Sequence, residues 1–512
     1  MIGKLIEFSL GNRLLMVFLA LLLVLSGILA MQRVSVDAFP DTTPIQAQIN
    51  TVAPSLNPEE IEQHITLPVE LAITGLPGLQ SVRSVSKFGL SQVVATFDDG
   101  TSITDARQYL SERLTTVELP DEIDAPQMGP ISTGLGEIFH YVVRSESGEH
   151  SLEELRTLHD WIIKPELRKV SGVAEVNSWG GREKQYHVVV DPDLLVKHDT
   201  NLRELVDALE QNNRNVGGGR VTVTGQDLLV HGLGRVSSIP EIEQIVVSSV
   251  EGVPIKIKDL AHEVRIGHEL RRGAVTADGR GEVVLGLAFM LMGENAQKVT
   301  EDLKVQLDGV RSSLPDGVEV EIVYDRTELT TEVLKTVQHN LIAGAILVVL
   351  TLFVLLGNIR AGLLVAIVIP LAMLFALVGM SHFAIAASLL SLGAIDFGIV
   401  VDGSVVMTES NMRQLARRTR ELGRRLTPGE RLKCILESSH EVARPIIFGM
   451  GIIAVVFLPV LTLEGTEGKM FRPMASTFIL ALFGALLIAI LLSPVLGNFA
   501  LPGKYRDKEG WF

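Results

Sequence analysis

The chain has a single cysteine, Cys434, in 512 residues. That excludes an internal disulfide and any cysteine-based zinc finger. Aromatic residues make up only 5%, and 60 acidic residues against 45 basic ones leave a formal net charge of -15. Nucleic acid, which recruits basic surfaces, is therefore not an expected partner. No Gly-x-x-x-x-Gly-Lys loop occurs, so the chain is not expected to hydrolyse ATP. The His-Glu-x-x-His pattern of metalloproteases is missing, and the 12 histidines are scattered without metal-ligand spacing. No Ser-His-Asp site can be nominated from spacing. The expectation is a protein that is not an enzyme and carries no cofactor.

Charge is also missing from long stretches. A helix that crosses a bilayer needs about 20 apolar residues. The first such run is Leu14–Met31, flanked by Lys4, Arg13 and Arg33. A cleaved signal peptide would have an apolar core of only ~7–15 residues. This run is longer and reads as an uncleaved anchor. Uncharged runs resume at Leu341–Ile359, Ala361–Ser381, roughly Ser388–Met407, Pro445–Leu463 and Ala475–Leu496. Basic residues gather at Arg360, in the tail (Lys504, Arg506, Lys508) and over Asn411–Arg444, which holds nine Lys or Arg against four Glu. The positive-inside rule puts these and the N-terminus in the cytoplasm. Asn411–Arg444 then reads as a solvated cytoplasmic loop.

The large block from Gln32 to Val337 falls on the other side. It holds 28 basic and 48 acidic residues, a net of -20. Such a surface concentrates cations and keeps an external domain soluble. The block repeats itself. IQAQINTVA reads as a strand, and the following helix starts at the cap Asn57 with Pro58, Glu59 and Glu60. A hairpin around Gly89 comes next. Near 136–191 the order recurs, with strand EIFHYVVRS and a helix opened by a Ser151–Glu154 capping box. GVAEVNSWGG and KQYHVVVD are then expected to pair as a second hairpin. Gly78, Val82 and Ser84 match Gly172, Val176 and Ser178, and both copies end in Asp, at Asp98 and Asp191. This points to duplicated split β-α-β units. A Gly-rich segment over about 192–273 interrupts the second copy. A strand, helix and strand then return to complete it.

The strongest chemical signal lies in the fourth apolar run, SLGAIDFGIVVDGSVVMTESN at 391–411. A carboxylate at mid-membrane costs about 2.5–3.5 kcal/mol on insertion scales, so Asp396 and Asp402 need a reason to be there. At ~100° per residue, Asp402 and Glu409 lie about 20° apart on one helix face. No Lys, Arg or His falls within the six runs, which leaves these acids without a cationic partner at membrane depth. Acids of that kind suit proton uptake and release. Gly393, Ala394, Gly398, Gly403 and Ser404 offer close approach to a neighbouring helix.

With these residues in view, the chain resembles the N-terminal half of a resistance-nodulation-cell division (RND) transporter. It is most similar to the heavy-metal efflux branch of the cobalt-zinc-cadmium type. The motifs that carry the resemblance are VDAFPD (36–41), GLPGL (75–79), FGLSQV (88–93), MGPISTGLGEI (128–138), NNRNVGGG (212–219), LGNIRA (356–361), DFGIVVDGSVV (396–406) and MFRPMA (470–475).

The resemblance implies an α+β membrane protein of the bacterial inner membrane. It would have six transmembrane helices and a large periplasmic block of ferredoxin-like porter subdomains. The implied organisation is a cytoplasmic N-terminus and first helix (1–32), a first porter subdomain (33–133), and a second (134–190 with 274–330). A docking subdomain (191–273) is inserted there, with a Gly-rich arm that reaches a neighbouring protomer. Helices two to six occupy 338–500, before a cytoplasmic tail (501–512). The implied activity is proton-driven efflux of divalent heavy-metal ions. The implied assembly is a homotrimer working with a periplasmic adaptor, an outer-membrane channel and the C-terminal half of the pump. Asp402 matches the family's central proton-relay aspartate, Asp396 the additional aspartate of this branch, and Glu409 the acid that follows. The copper-silver branch has Met where this chain has Val400, although Met407 does occupy a methionine position of that branch. The lysine that pairs with the aspartates, and most metal ligands, belong to the other half. Met128, Met290 and Met292 are the thioethers in this block and are expected to be core residues. A multidrug exporter, and a half without transport activity acting as a membrane-bound interaction protein, remain as alternatives.

Overall fold

Asn57 and Ser151 each open a helix as their sequences predict. Asn57 Oδ1 accepts from Glu60 N at 3.0 Å while Glu60 Oε2 accepts from Asn57 N at 3.2 Å. Ser151 and Glu154 make the same reciprocal pair at 3.2 and 3.0 Å. Such caps satisfy donors that have no intrahelical partner, and each is worth about 1 kcal/mol. These details come from a computed structural model, which describes residues 2–32, 34, 40–120, 123–145, 148–224, 226–250, 252–271, 273–383, 385–393 and 397–501.

Helix α1 (Ile2–Gly11) precedes the long apolar α2 (Arg13–Met31). The first external unit follows. Its elements are β1 (Ile45–Val52), α3 (Pro58–Ile61), α4 (Leu67–Ile73), β2 (Leu79–Lys87), β3 (Leu90–Phe97), α5 (Ile103–Leu114) and β4 (Gln127–Met128). The strand order is β2-β3-β1-β4, with every pair antiparallel. This is the order of a split β-α-β unit. Ile49, Val93, Ala95 and Phe97 point inward from the sheet against Val69, Ile73 and Leu110, and all are buried. Each large side chain enclosed in this way contributes about 1.5–3 kcal/mol.

The second unit begins with β5 (Glu137–Ser145), α6 (Leu152–Leu158), α7 (Lys164–Leu167) and β6 (Val173–Gly180). The chain then leaves the sheet through β7 (Lys184–Val190), α8 (Pro192–Lys197), α9 (Leu202–Asn212), β8 (Val216–Val223), β9 (Gln226–Gly232), α10 (Ile239–Glu243), β10 (Val246–Val250), β11 (Val253–Lys256), α11 (Ile257–Leu260) and β12 (Ala261–His268). It returns as β13 (Val284–Met290), α12 (Ala296–Arg311) and β14 (Val318–Asp325). The sheet order is β14-β5-β13-β6, which maps strand for strand onto the first unit.

The expected second hairpin does not form. β6 pairs with β13, whereas β7 pairs with β12. The pairing of Asp98 with Asp191 as matching ends fails for the same reason, since Asp191 lies in the insertion. The first unit closes its hairpin with two residues, Phe88 and Gly89, at a left-handed φ of 78° on the glycine. In the second unit Gly180 and Gly181 both take left-handed φ, 72° and 66°, and turn the chain out of the sheet. The glycine correspondence does hold, because Gly78 and Gly172 share left-handed φ of 72° and 88°.

The first helix of each unit is interrupted by a π turn, at Glu62–Thr66 and His159–Ile163, and a third lies at Ile488–Leu492. Each ends one residue before an x-Pro step, at Pro68, Pro165 and Pro494. The residue ahead of each proline donates five residues back, as Leu67 N does to Glu62 O. A proline ring collides with the carbonyl four residues back, and the wider turn relieves that collision.

The apolar helices are α13 (Arg326–Leu356), α14 (Ile359–His382), α15 (Leu389–Gly393), α16 (Phe397–Leu422), α17 (Pro428–Leu461), α18 (Gly465–Leu487) and α19 (Ser493–Ala500). Among the described residues six helical stretches are long and apolar enough to cross a membrane. One sequence reading is corrected here. Asn411–Arg444 is not a loop. α16 runs on to Leu422 and α17 starts at Pro428, so five residues form the turn. Ion pairs Arg417–Glu421 and Arg418–Glu421, both 3.1 Å, support that helical extension. Arg360 lies in the first turn of α14, and the preceding turn is Gly357–Asn358, with Gly357 at φ 55°.

Candidate proton-relay site on helix α16

α16 presents two chemically different faces. Val400, Val401, Gly403, Ser404, Met407, Thr408 and Asn411 are buried against the bundle, while Asp402, Val406 and Glu409 are exposed. The shared face of Asp402 and Glu409 thus follows from their spacing. That face points away from this chain's own helices. Asp396 lies outside the described residues.

Glu409 corrects one expectation, because it does have a cationic partner. Arg413 Nη2 stands 2.5 Å from its Oε1, one turn further along α16. The apolar run ends at Met407 but the helix does not, so a basic residue beyond the run can reach back. Both side chains are exposed, and such a pair adds little stability.

The buried face carries a polar seam that sequence reading missed. Ser404 Oγ lies 3.1 Å from Ser493 Oγ, Ser410 Oγ 2.8 Å from Ser438 Oγ, and Ser439 Oγ donates to Asn411 Oδ1 at 3.4 Å. Arg431 closes the seam, donating to Asn498 Oδ1 at 3.2 Å and Leu501 O at 3.3 Å. Ser404 and Ser493, small polar residues within apolar runs, were the available signal for one end of it, since hydrogen bonds between helices join membrane bundles. The close approach expected at Gly403 occurs: a Cβ there would stand 2.9 Å from Met450 Sδ and 3.1 Å from Ile446. Among the described residues nothing would lie within 4 Å of a Cβ at Gly393, so no such approach is seen there.

Outside the apolar helices, Met290 is buried in the second unit's core and Met292 is half-buried. Met128 packs partly against the first unit's core. It also lines a cleft of about 770 Å³ between the units, with Asn50, Arg107, Glu175 and Asn177. Among the described residues no three His, Cys, Asp or Glu side chains converge to hold a metal ion.

Comparison with known proteins supplies the family. The model of the AcrB/AcrD/AcrF family matches residues 5–512. The chain belongs to the AcrB/AcrD/AcrF family of transporters. It is 48% identical to protein HelA of Legionella pneumophila over 518 residues, covering 100% of this chain and 49% of that protein. It is 42% identical to the cobalt-zinc-cadmium resistance protein CzcA of Cupriavidus metallidurans, covering 99% and 48%. Identity to the cation efflux system protein CusA of Escherichia coli is lower, 35%, covering 98% and 48%. Among solved structures, the crystal structure of a heavy metal efflux pump matches with a TM-score of 0.85 at 35% identity, over 96% of this chain and 48% of that one. The chain therefore spans about half the length of the curated relatives it matches. The match agrees with the N-terminal half of a heavy-metal RND pump.

Proposed function

We propose that this chain forms the N-terminal half of a proton-driven RND pump that exports divalent heavy-metal cations from the bacterial inner membrane. In this reading the two split β-α-β units are porter subdomains and the inserted segment is a docking subdomain. The pump works as a trimer with a periplasmic adaptor and an outer-membrane channel. Asp402 takes up and releases the proton, aided by Asp396, with Glu409 toward the cytoplasm. The observation that carries the reading is Asp402 on an exposed face within the apolar first turns of α16, in a chain similar along its whole length to cation efflux proteins. The exposed face suits a cationic helix from the other half of the pump. The 42% identity to a cobalt-zinc-cadmium resistance protein, together with Val400, favours divalent ions.

The test is metal tolerance in cells that co-express this chain with the matching second half. Zinc, cobalt or cadmium tolerance is expected, and Asp402→Asn should abolish it while leaving the protein in the membrane. Tolerance that survives Asp402→Asn removes the relay role. Protection against drugs but not metals assigns the chain to multidrug export instead.

A further inference from the structure

The second external unit encloses a polar relay that the first does without. His159, wholly buried, is the first residue of the π turn between α6 and α7. Its Nε2 lies 2.9 Å from the hydroxyl of Tyr141, at the centre of β5. Tyr141 is also wholly buried, with its ring laid across Gly286, where any side chain would overlap it. The other ring nitrogen, Nδ1, lies 3.1 Å from Asp160 Oδ1. That oxygen also accepts from Ser178 Oγ of β6 at 2.5 Å, and Asp160 Oδ2 accepts from Arg156 Nε at 2.6 Å. Arg156 Nη1 donates in turn to Gly180 O at 2.7 Å. Gly180 and Gly181 are the left-handed pair at which the chain leaves the sheet for the insertion. The relay thus joins the middle of the sheet to that glycine pair.

Elementary chemistry assigns the protons. A carboxylate only accepts, so Nδ1 carries the ring hydrogen and Nε2 accepts from the Tyr141 hydroxyl. Burial pulls His159 below its ordinary value, against a smaller opposite pull from Asp160, and holds the ring neutral. Burial pushes Asp160 up, but bonds from His159, Ser178 and Arg156 outweigh it and keep the acid well below the usual carboxylate range. Burial and the charge of Asp160 push the Tyr141 phenol above its ordinary value, so it stays a donor. The charges acting on the ring are Asp160, Arg156 and Lys164. Ser178 comes from β6 and Tyr141 from β5. α12 packs across the same turn, and its Gln306 is taken up by Glu166 at 3.1 Å.

A second proton on His159 would set an N–H at Nε2 against the hydroxyl hydrogen of an enclosed phenol, so the hydroxyl must turn that hydrogen away from the relay and accept from the ring instead, which reverses the bond and takes its donor out of the network. The fold itself does not need the relay. Aligned on Pro68 and Pro165, the first unit has Glu62 and Gln63 at these positions, both exposed, and closes the same sheet.

We propose that the Tyr141–His159–Asp160–Arg156 relay is a proton-operated latch on the Gly180–Gly181 hinge. It holds the inserted segment, residues 184–268, in one orientation while His159 is neutral and frees it when the ring is protonated. The inference does not depend on the transport reading.

The experiment is amide hydrogen exchange on the full chain in lipid nanodiscs between about pH 5 and pH 8, corrected for intrinsic exchange. Amides over 180–190 should lose protection about tenfold as the pH falls below ~6.5, the ordinary histidine value. His159→Gln can still accept from Tyr141 and donate to Asp160 but does not titrate, so its profile should stay flat and protected. Tyr141→Phe removes a bond to the neutral ring and should move the midpoint to higher pH. A flat profile in the unaltered chain, the same drop in His159→Gln, or an unmoved midpoint in Tyr141→Phe overturns the latch.

Discussion

Asn411 shows how little a single residue type says before its neighbours are known. In the sequence it marks the start of a basic stretch, yet in the structure it is buried, accepting from Ser439 across the α16–α17 contact. Hydrogen bonds of this kind between membrane helices are worth about 0.6 kcal/mol on average and up to about 1.7 kcal/mol. Asn411→Ala should therefore lower thermal stability in detergent by an amount in that range, whereas Arg413→Ala, which breaks only the exposed pair with Glu409, should change it by less than about 0.5 kcal/mol. Equal losses for the two would contradict the seam as a source of cohesion. Asp402 makes the complementary point. Its type and position in an apolar run were legible in the sequence, but its outward direction was not, because exposure depends on which helices pack on the opposite face.

At the scale of elements, the junction of β14 with α13 joins the second unit to the apolar bundle without a loop. Asp325 caps α13, accepting from Thr327 N at 2.7 Å and Thr327 Oγ1 at 2.6 Å while pairing with Lys304. Arg326 donates to Leu135 O on the same unit. Burial pushes Asp325 up, but the bonds from Lys304 and Thr327 outweigh it and hold its carboxyl below the ordinary value. A group depressed on folding stabilises above its unfolded value, ~3.9 for aspartate, and that stability is lost as the pH falls through the lower folded value. Asp325→Asn keeps a capping oxygen but loses the charge that pairs with Lys304, and should cost about 1 kcal/mol or less at neutral pH. Its unfolding midpoint should then vary less with pH below ~4 than that of the unaltered chain. Parallel pH curves for the two proteins would remove the linkage. The caps at Asn57 and Ser151 were legible beforehand because capping is local in sequence. The π turns were not, since Pro68 and Pro165 equally permit a kink or a break.

For the molecule as a whole, contacts at the two ends of the bundle sort its faces. At one end His440 Nε2 lies 3.1 Å from Gly3 O, and Arg431 binds Asn498 and Leu501. The start of the chain, the first turn of α17 beside the α16–α17 turn, and the end of α19 therefore lie together. At the other end Lys469, in the first turns of α18, donates to Thr43 O at 2.7 Å and pairs with Asp99 at 2.7 Å. The first unit is thus tied to α18 and the second to α13, so the two external units have separate attachments to the apolar helices. Lys469→Met should speed hydrogen exchange over residues 42–45 several-fold, with global stability lowered by about 1 kcal/mol or less. Lys469→Arg should restore the slow rate. Unchanged exchange in Lys469→Met would mean that the first unit is held by other contacts.

What the sequence determined by itself is what short spans of chain can encode: apolar runs, helix caps, a duplicated strand-helix pattern and an acid where none is cheap. These follow from neighbours a few residues apart and survive any arrangement of the rest. The tertiary structure decided which strand lies beside β6, which side of α16 faces outward, and which polar atoms meet inside the bundle and around His159. Those outcomes join residues far apart in the chain. Strand periodicity marks which side chains point inward but not which distant strand becomes the neighbour, so only the assembled packing could choose β13 over β7.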